Sequence, residues 1–510
     1  MTDFPWLTTL GAVPLVGSLV VAAMPKGRDL LAKQVALAVS LVTLGLTVAM
    51  SLQFEPRGDT LFQLTETHEW IPQFGVSYAV GVDGIALVLI ALAAVLTPIC
   101  ILASWHDAEG GRRSVKTYFA LLLLLETFMV GVFAATDVFL FYVFFEAMLI
   151  PMYFIIGSYG GAQRSYAAVK FLLYSLFGGL LMLAAVIGLF VVSDGGDQAF
   201  LFQNLLGLDI SPATEKLLFL GFFTAFAIKA PLWPVHTWLP DAAAEAPPGG
   251  AVLLVGVLDK VGTFGMIRLC LPLFPDASRW ATPVVLTLAV VGILYGALLA
   301  IGQTDIKRLI AYTSISHFGF IALGIFATTT PGQSGATLYM VNHGFSTAAL
   351  FLIAGFMISR RGSRLIADYG GVQRVAPMLA GTFLVAGLSS LALPGLSSFV
   401  SEFLVLVGTF SRYEVAAVLG TGGIILASLY ILLMYQRTMT GEPTESTAGL
   451  RDLNLREVWV VAPLLAVIIA LGVYPKPVLD VINPAVERTL QHIDRTDPKP
   501  VVPVAEGTGK

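Results

Sequence analysis

Six ionisable side chains fall near the middle of six separate apolar stretches: Glu146 in FLFYVFFEAMLIPMYF, Lys229 in LGFFTAFAIKAPLWP, Lys260 in GVLDKVGTFGMIR, His317 in TSISHFGF, His343 in VNHGFSTAALF and Glu402 in PGLSSFVSEFL. A charge at the centre of a bilayer costs about 2.5–3.5 kcal/mol on insertion scales, so these groups belong inside a helix bundle and not against lipid. A single buried histidine is commonly a packing residue. Six polar groups at one depth, on six spans, are what a proton relay requires, because protons hop only across short gaps. Glu146 and Lys229 together suggest a pair that opens and closes: closed, the lysine keeps its proton, and open, it passes the proton on. The alternative is a static pair that locks two helices.

The elements that hold these groups are irregular where it matters. Lys229 is followed two residues later by Pro231, which lacks an N–H and clashes with the carbonyl four residues back, so carbonyls near Ala227 lose their partners. Such a break persists in lipid only where protein or water satisfies the backbone again. Lys229 lies too deep to snorkel, with some ten residues, roughly 15 Å, on either side of it. A second interrupted run, LVAGLSSLALPGLSSF, is broken at Pro394.

Composition sets the class. Of 510 residues 56% are hydrophobic and 12% charged, against roughly 25% charged in a soluble domain, and mean hydropathy is +0.83. The expected fold is an all-α integral membrane protein. A net charge of −4 offers no basic field for nucleic acid. Cys100 and Cys270 stand far apart and form neither a metal-ligand pattern nor a disulfide framework.

Apolar runs of about 20 residues predict about fourteen transmembrane helices, near 4–24, 30–53, 80–105, 115–135, 136–158, 166–192, 216–238, 248–272, 282–302, 307–329, 335–359, 374–410, 414–438 and 456–476. The first, with Asp3 before it and no Lys or Arg until Lys26, reads as a membrane helix and not a cleaved signal. Connections after odd-numbered runs carry most of the basic residues, among them Lys26, Arg28, Arg112, Arg113, Lys116, Lys307, Arg308, Arg360, Arg361, Arg364 and Arg374. Those after even-numbered runs carry only Arg57, Lys216, Arg279 and Arg412, apart from the C-terminal tail. By the positive-inside rule the odd connections are cytoplasmic and both termini extracytoplasmic. Two outside pieces are expected. One is a short β-hairpin between Phe54 and Tyr78, with alternation at Leu61–Leu64 and Val76–Val80. The other is an amphipathic helix capped by Asn483, opening at Pro484 and ending at His492, with disorder past Asp494.

A faint internal repeat runs through the chain: 83 residues separate Glu146 from Lys229 and 85 separate His317 from Glu402, each interval leading to an interrupted run. Repeats that start an odd number of spans apart have opposite topology, the inverted-repeat plan of transporters. The predicted organisation is residues 1–114 (spans one to three with the hairpin), 115–272 (first five-helix repeat), 273–438 (second repeat) and 439–510 (span fourteen and tail).

The stretches FEAMLIPMYF, FAIKAPLWPVHTWLPDAAAEAP, DKVGTFGMIR, DIKRLIAYTSISHFGF, NHGFSTAALF and GLSSFVSEF resemble the subunit M family of bacterial complex I, the proton-pumping NADH:quinone oxidoreductase. Its mitochondrial counterpart is subunit four, and the likeness runs from the third to the thirteenth span. The resemblance implies an antiporter-like, proton-translocating subunit of the bacterial inner membrane that carries no cofactor. NADH, FMN, iron–sulfur clusters and quinone are then expected in partner subunits. By motif position, Glu146 and Lys229 resemble the family's pair, Lys260 its central relay lysine, His317 and His343 its connecting histidines, and Glu402 its exit residue. His236, Glu126, Pro231, Pro394 and Asp259 are supporting candidates, although Asp259 has no place in the family pattern and either tunes Lys260 or faces another helix. Sister subunits L and N, the expected partners, usually carry a lysine where this chain has Glu402, and L has a long lateral helix at its C-terminus; both differences favour M.

The alternative is a subunit of a related cation/proton antiporter or membrane-bound hydrogenase complex. A sodium or potassium site needs several oxygens, and mid-span carboxylates are few, mainly Glu126, Glu146, Asp259 and Glu402. A passive scaffold leaves Lys229 and Lys260 as a cost without a use. A redox subunit lacks any dinucleotide fingerprint, cluster ligands or haem pattern.

Overall fold

Backbone N–H and C=O groups in lipid must be satisfied within the segment, so apolar runs become helices. The computed structural model describes residues 4–109, 113–193 and 195–499. Arg112 and the tail from residue 500, both part of the sequence reading, lie outside the described residues, as does Asp3.

The first helices are α1 (Trp6–Ala23) and α2 (Asp29–Ser51), followed by strands β1 (Gln63–Ile71) and β2 (Val76–Val82). Then come α3 (Gly84–Ala103), α4 (Val115–Ala134), α5 (Val138–Tyr159) and α6 (Arg164–Val192). The first broken helix is α7 (Pro212–Lys229) with the short α8 (Trp238–Glu245). The centre is α9 (Pro248–Leu273), α10 (Pro275–Ile301), α11 (Ile306–Ala327) and α12 (Thr330–Arg361). The second broken helix is α13 (Pro377–Ser390) with α14 (Ser397–Phe410), and α15 (Glu414–Met439), α16 (Leu455–Val473) and α17 (Lys476–His492) complete the chain. Among the described residues twelve helices are long and apolar enough to cross a membrane. Fourteen crossings are reached only by reading each broken helix as one crossing.

Burial separates the helices into a core and an outer shell. The most apolar stretch of α9 is wholly buried and those of α11 and α12 are 94% buried, whereas α1, α2 and α16 bury about a third of theirs. Small residues let the core helices approach closely. Gly256 of α9 faces Gly344 of α12, and a Cβ on Gly344 would come 3.1 Å from the Gly256 carbonyl oxygen. Gly335 of α12 likewise admits α14, since a Cβ there would lie 2.9 Å from the Ser401 carbonyl oxygen.

The first break differs from its predicted consequence. Helix α7 stops at Lys229, but the Ala227 carbonyl is not orphaned, because the amide of Leu232 reaches back to it at 2.9 Å. The Ile228 carbonyl accepts the indole N–H of Trp238, also at 2.9 Å. The loop therefore folds onto the end of its own helix. At the second break, around Pro394, Ala392 takes a left-handed conformation (φ 59°) and the Leu393 amide bonds the Leu388 carbonyl at 3.0 Å.

The hairpin forms, with longer strands than the alternation suggested; Gln63 pairs with Val82, His68 with Tyr78 and Ile71 with Val76. Gly75 turns the chain at φ 64°. The C-terminal helix begins earlier than predicted, at Lys476 and not Pro484. Pro477 occupies its first turn, where a missing N–H costs nothing, and Pro484 is carried inside the helix. Asn483 therefore lies within the helix and does not cap it.

Two faces are distinguished by what ties them together. On one, Lys116 donates to the carbonyls of Ala22 and Met24, Lys33 pairs with Glu109, Arg456 donates to the Leu102 and Ala103 carbonyls, Lys307 to those of Ala244 and Ala246, and Arg360 pairs with Glu457. On the other lie the hairpin and α17: Arg268 pairs with Asp83 at 2.5 Å, Arg488 donates to the Thr60 carbonyl, and Arg279 to that of Ile493. The Lys33 ammonium and the ring of His106 hold the Glu109 carboxyl below its ordinary pKa.

Candidate functional site

Helix α9 builds the centre of the site. Its winding loosens twice into π-helical turns, Leu254–Leu258 and Met266–Cys270, on either side of Lys260; such turns are frequent at functional positions. The Lys260 ammonium donates to the Val255 carbonyl in the first of these turns. The same nitrogen lies 2.7 Å from Nδ1 of His343 and over the ring of Phe318, 5.1 Å from its centroid. The glycine contact between α9 and α12 makes this possible, because Gly344 adjoins His343 and Gly256 lies one turn before Lys260.

From His343 the file continues through α11. The rings of His343 and His317 meet edge to face with centroids 5.2 Å apart. Nε2 of His317 is 3.4 Å from the hydroxyl of Tyr430, and its ring is 5.7 Å from that of Tyr339. Tyr339 donates to Oε2 of Glu402 at 3.3 Å. Glu402 sits in the second half of the broken helix, beside Ser401, whose hydroxyl is 3.2 Å from the amide nitrogen of Asn342. Lys260, His317, His343, Tyr339, Tyr430 and Glu402 are all at most 3% exposed. A titratable and hydroxylic chain thus joins α9, α12, α11 and α14.

The other end of the set is less connected. No ion-pair contact within 4 Å joins Glu146 and Lys229 among the described residues, so the expected pair is open. Lys229 is buried without a hydrogen-bond partner, and its ammonium rests 4.8 Å from the centroid of Phe145. Glu146 is turned toward α6, where its carboxylate packs on the bare backbone of Gly179. The helix beneath Glu146 is itself disturbed at Met148, because Pro151 cannot donate to the Ala147 carbonyl.

Among the supporting residues, His236 lies in the first break with its ring edge-on to Tyr295 at 5.2 Å. Glu126 is fully buried in α4 with neither oxygen hydrogen-bonded, and is not drawn into the file. Asp259 is fully buried and also without a hydrogen bond. Pro231 and Pro394 lie in the two breaks. Tyr339 and Tyr430 went unrecognised in the sequence. Tyr339 had a signal, standing four residues before His343 on one helix face; Tyr430 had none.

Residues 135–427 match the family described as NADH:quinone oxidoreductase/Mrp antiporter, TM, which defines the class as an antiporter-like membrane subunit. NADH-quinone oxidoreductase subunit M of Mycobacterium tuberculosis is 54% identical, over 98% of this chain and 97% of the relative. The chain belongs to the NADH-quinone oxidoreductase subunit M family. A chain of respiratory complex I from Thermus thermophilus with bound NADH superposes with a TM-score of 0.87 at 32% identity, over 96% of this chain and 99% of that one. A chain of the Mrp complex from Dietzia sp. DQ12-45-1b shares the fold, with a TM-score of 0.86 at 22% identity over 97% of this chain and 100% of that one.

Proposed function

We propose that this chain moves protons along the buried file that runs from Glu146 and Lys229 through Lys260, His343 and His317 to Glu402. It is a proton-translocating membrane subunit of NADH:quinone oxidoreductase. The observation that carries the relay is the contact series Lys260–His343–His317–Tyr339–Glu402, hydrogen-bonded at its two ends and in ring contact at its two middle steps, all between groups able to take up or donate a proton. Burial of unpaired ionisable groups is costly, and apolar residues would pack the same space more stably; transport is what the cost secures.

In this reading Glu146 and Lys229 form the switch, Lys260 is the central carrier, the histidines and tyrosines connect, and Glu402 delivers the proton at the far side. The chain holds no redox centre, and NADH, FMN, iron–sulfur clusters and quinone are bound by its partners. Those partners include the paralogous subunits L and N in a bacterial inner membrane. The face tied together by Lys116, Lys33, Arg456 and Lys307 is cytoplasmic, and the hairpin and α17 lie outside. Residues 115–272 and 273–438 are two inverted repeats, each with its broken helix, supported by the matching places of the two breaks.

Lys260→Ala in the assembled complex tests this. Expected are loss of the protons this subunit moves, with assembly intact and NADH oxidation by artificial acceptors unchanged. Unchanged pumping per electron in an assembled complex would reduce Lys260 to packing.

A further inference from the structure

The relay has a gap between its two parts. Lys260 is engaged by His343 and the Val255 carbonyl, whereas Lys229 has no hydrogen-bond partner and faces an aromatic ring. Asp259 lies next in sequence to Lys260. Neighbours on a helix point about 100° apart, so Asp259 is turned away from Lys260, and it stands three residues from both Gly256, which meets α12, and Gly262. Gly262, three residues on, lies beside it on the side turned from Lys260. A Cβ on Gly262 would come 2.5 Å from the carbonyl oxygen of Phe226 and 2.6 Å from the amide nitrogen of Ala230. That face of α9 is therefore pressed against the last turn of α7, the turn that ends in Lys229.

Two further facts single out Asp259. It is fully buried and neither carboxylate oxygen has a hydrogen-bond partner, an arrangement that costs stability and calls for a reason. The charged groups that act on it are the ammonium groups of Lys260 and Lys229, and those that act on Lys229 are Glu146 and Asp259. Both lysines are thus within electrostatic reach of the one carboxyl.

We propose that Asp259 carries the proton between Lys229 and Lys260, closing the gap in the relay. This rests on the relay reading above. The step begins with a charged Lys229, an ionised Asp259 and a neutral Lys260. The Lys229 ammonium gives one proton to a carboxylate oxygen, directly or through a water, breaking an N–H bond and forming an O–H bond. The acid then gives its proton to the Lys260 amine, restoring the carboxylate and leaving Lys260 charged. The net charge of the trio stays zero throughout, so the buried site never holds more than one ion pair. A carboxyl that only tuned Lys260 would stay ionised through the cycle, and a proton carrier must pass through its acid form.

The test uses the whole complex in liposomes, with Asp259→Asn, Asp259→Glu and Lys260→Ala side by side. Proton pumping per electron is measured together with infrared difference spectra on adding NADH. Asp259→Asn is expected to lose the protons moved by this subunit and to lack a protonated-carboxyl C=O band that the native complex shows. Asp259→Glu, with the same chemistry on a longer arm, is expected to keep a shifted band and part of the pumping. Normal pumping by Asp259→Asn alongside failure of Lys260→Ala would overturn the role of Asp259 and leave the relay standing; normal pumping by both would bring down the relay reading itself. A carboxyl band unchanged in Asp259→Asn would also overturn the proposal. Should Asp259→Asn fail to assemble, an unshifted band in Asp259→Glu would do so.

Discussion

The ammonium of Lys260 lies 2.7 Å from Nδ1 of His343, across a helix crossing at which Gly256 and Gly344 bring two backbones together. The bond and the crossing depend on one another. A methyl group on Gly344 would press on Leu92 and on the Gly256 carbonyl at the crossing without touching any ionisable residue.

Gly344→Ala checks this. The added Cβ would come 2.8 Å from Leu92 Cδ2 and 3.1 Å from the Gly256 carbonyl oxygen, an overpacking of about 1–3 kcal/mol. The expected outcome is a modest loss of assembled complex and a larger loss of pumping per assembled complex. Equal losses of both would show that the crossing is merely structural.

Tyr339 and Tyr430 approach His317 from two sides, and only Tyr339 is bonded to Glu402. Tyr339→Phe is expected to slow proton delivery to Glu402 by about tenfold, or ~1.4 kcal/mol, and Tyr430→Phe by less. The double variant should be close to Tyr339→Phe alone, because only Tyr339 reaches Glu402. Turnover-coupled pumping rates in the three variants decide it; independent effects would exclude a shared route.

At the other end, Glu146→Gln removes the charge that the switch needs and is expected to stop pumping through this subunit, while Glu146→Asp keeps part of it. Gly179→Ala keeps the charge but displaces the Glu146 carboxylate from its seat, since a Cβ there would overlap it, and is expected to alter pumping without touching a titratable group. A static ion pair predicts otherwise: reduced assembly, with normal pumping by what assembles. Pumping normalised to assembled complex separates the cases.

Orientation is checked by limited proteolysis of sealed membranes. A protease confined to the cytoplasmic side is expected to cut between Arg360 and Arg374 and to spare the tail beyond α17. Cleavage of the tail alone from that side would invert the topology.

The apolar spans were legible because few charges interrupt them, and Glu146, Lys229, Lys260 and Glu402 stood out as charges in apolar surroundings. The two breaks were legible from Pro231 and Pro394. Local repair was not. The Leu232 amide satisfies the Ala227 carbonyl, and the Trp238 indole the Ile228 carbonyl, only because the loop doubles back, which no local pattern announces. The open state of Glu146 and Lys229 was equally hidden, since the spacing of two residues on different helices says nothing about their rotamers. Tyr430 is one aromatic among many in apolar spans and becomes a relay candidate only when α15 places its hydroxyl beside His317.

The contact of Gly256 with Gly344 also bears on how force travels through the subunit. The two backbones approach closely here with Leu92 and Leu96 packed beside them, and sliding one past the other would open a void, which close-packed interiors resist. The crossing is a fixed pivot. The non-helical segments on its two sides, residues 230–237 and 391–396, are tied back onto their own helices by the Leu232–Ala227, Trp238–Ile228 and Leu393–Leu388 hydrogen bonds. Any shift of α9 against α12 at this crossing therefore bears directly on the 2.7 Å contact between Lys260 and His343.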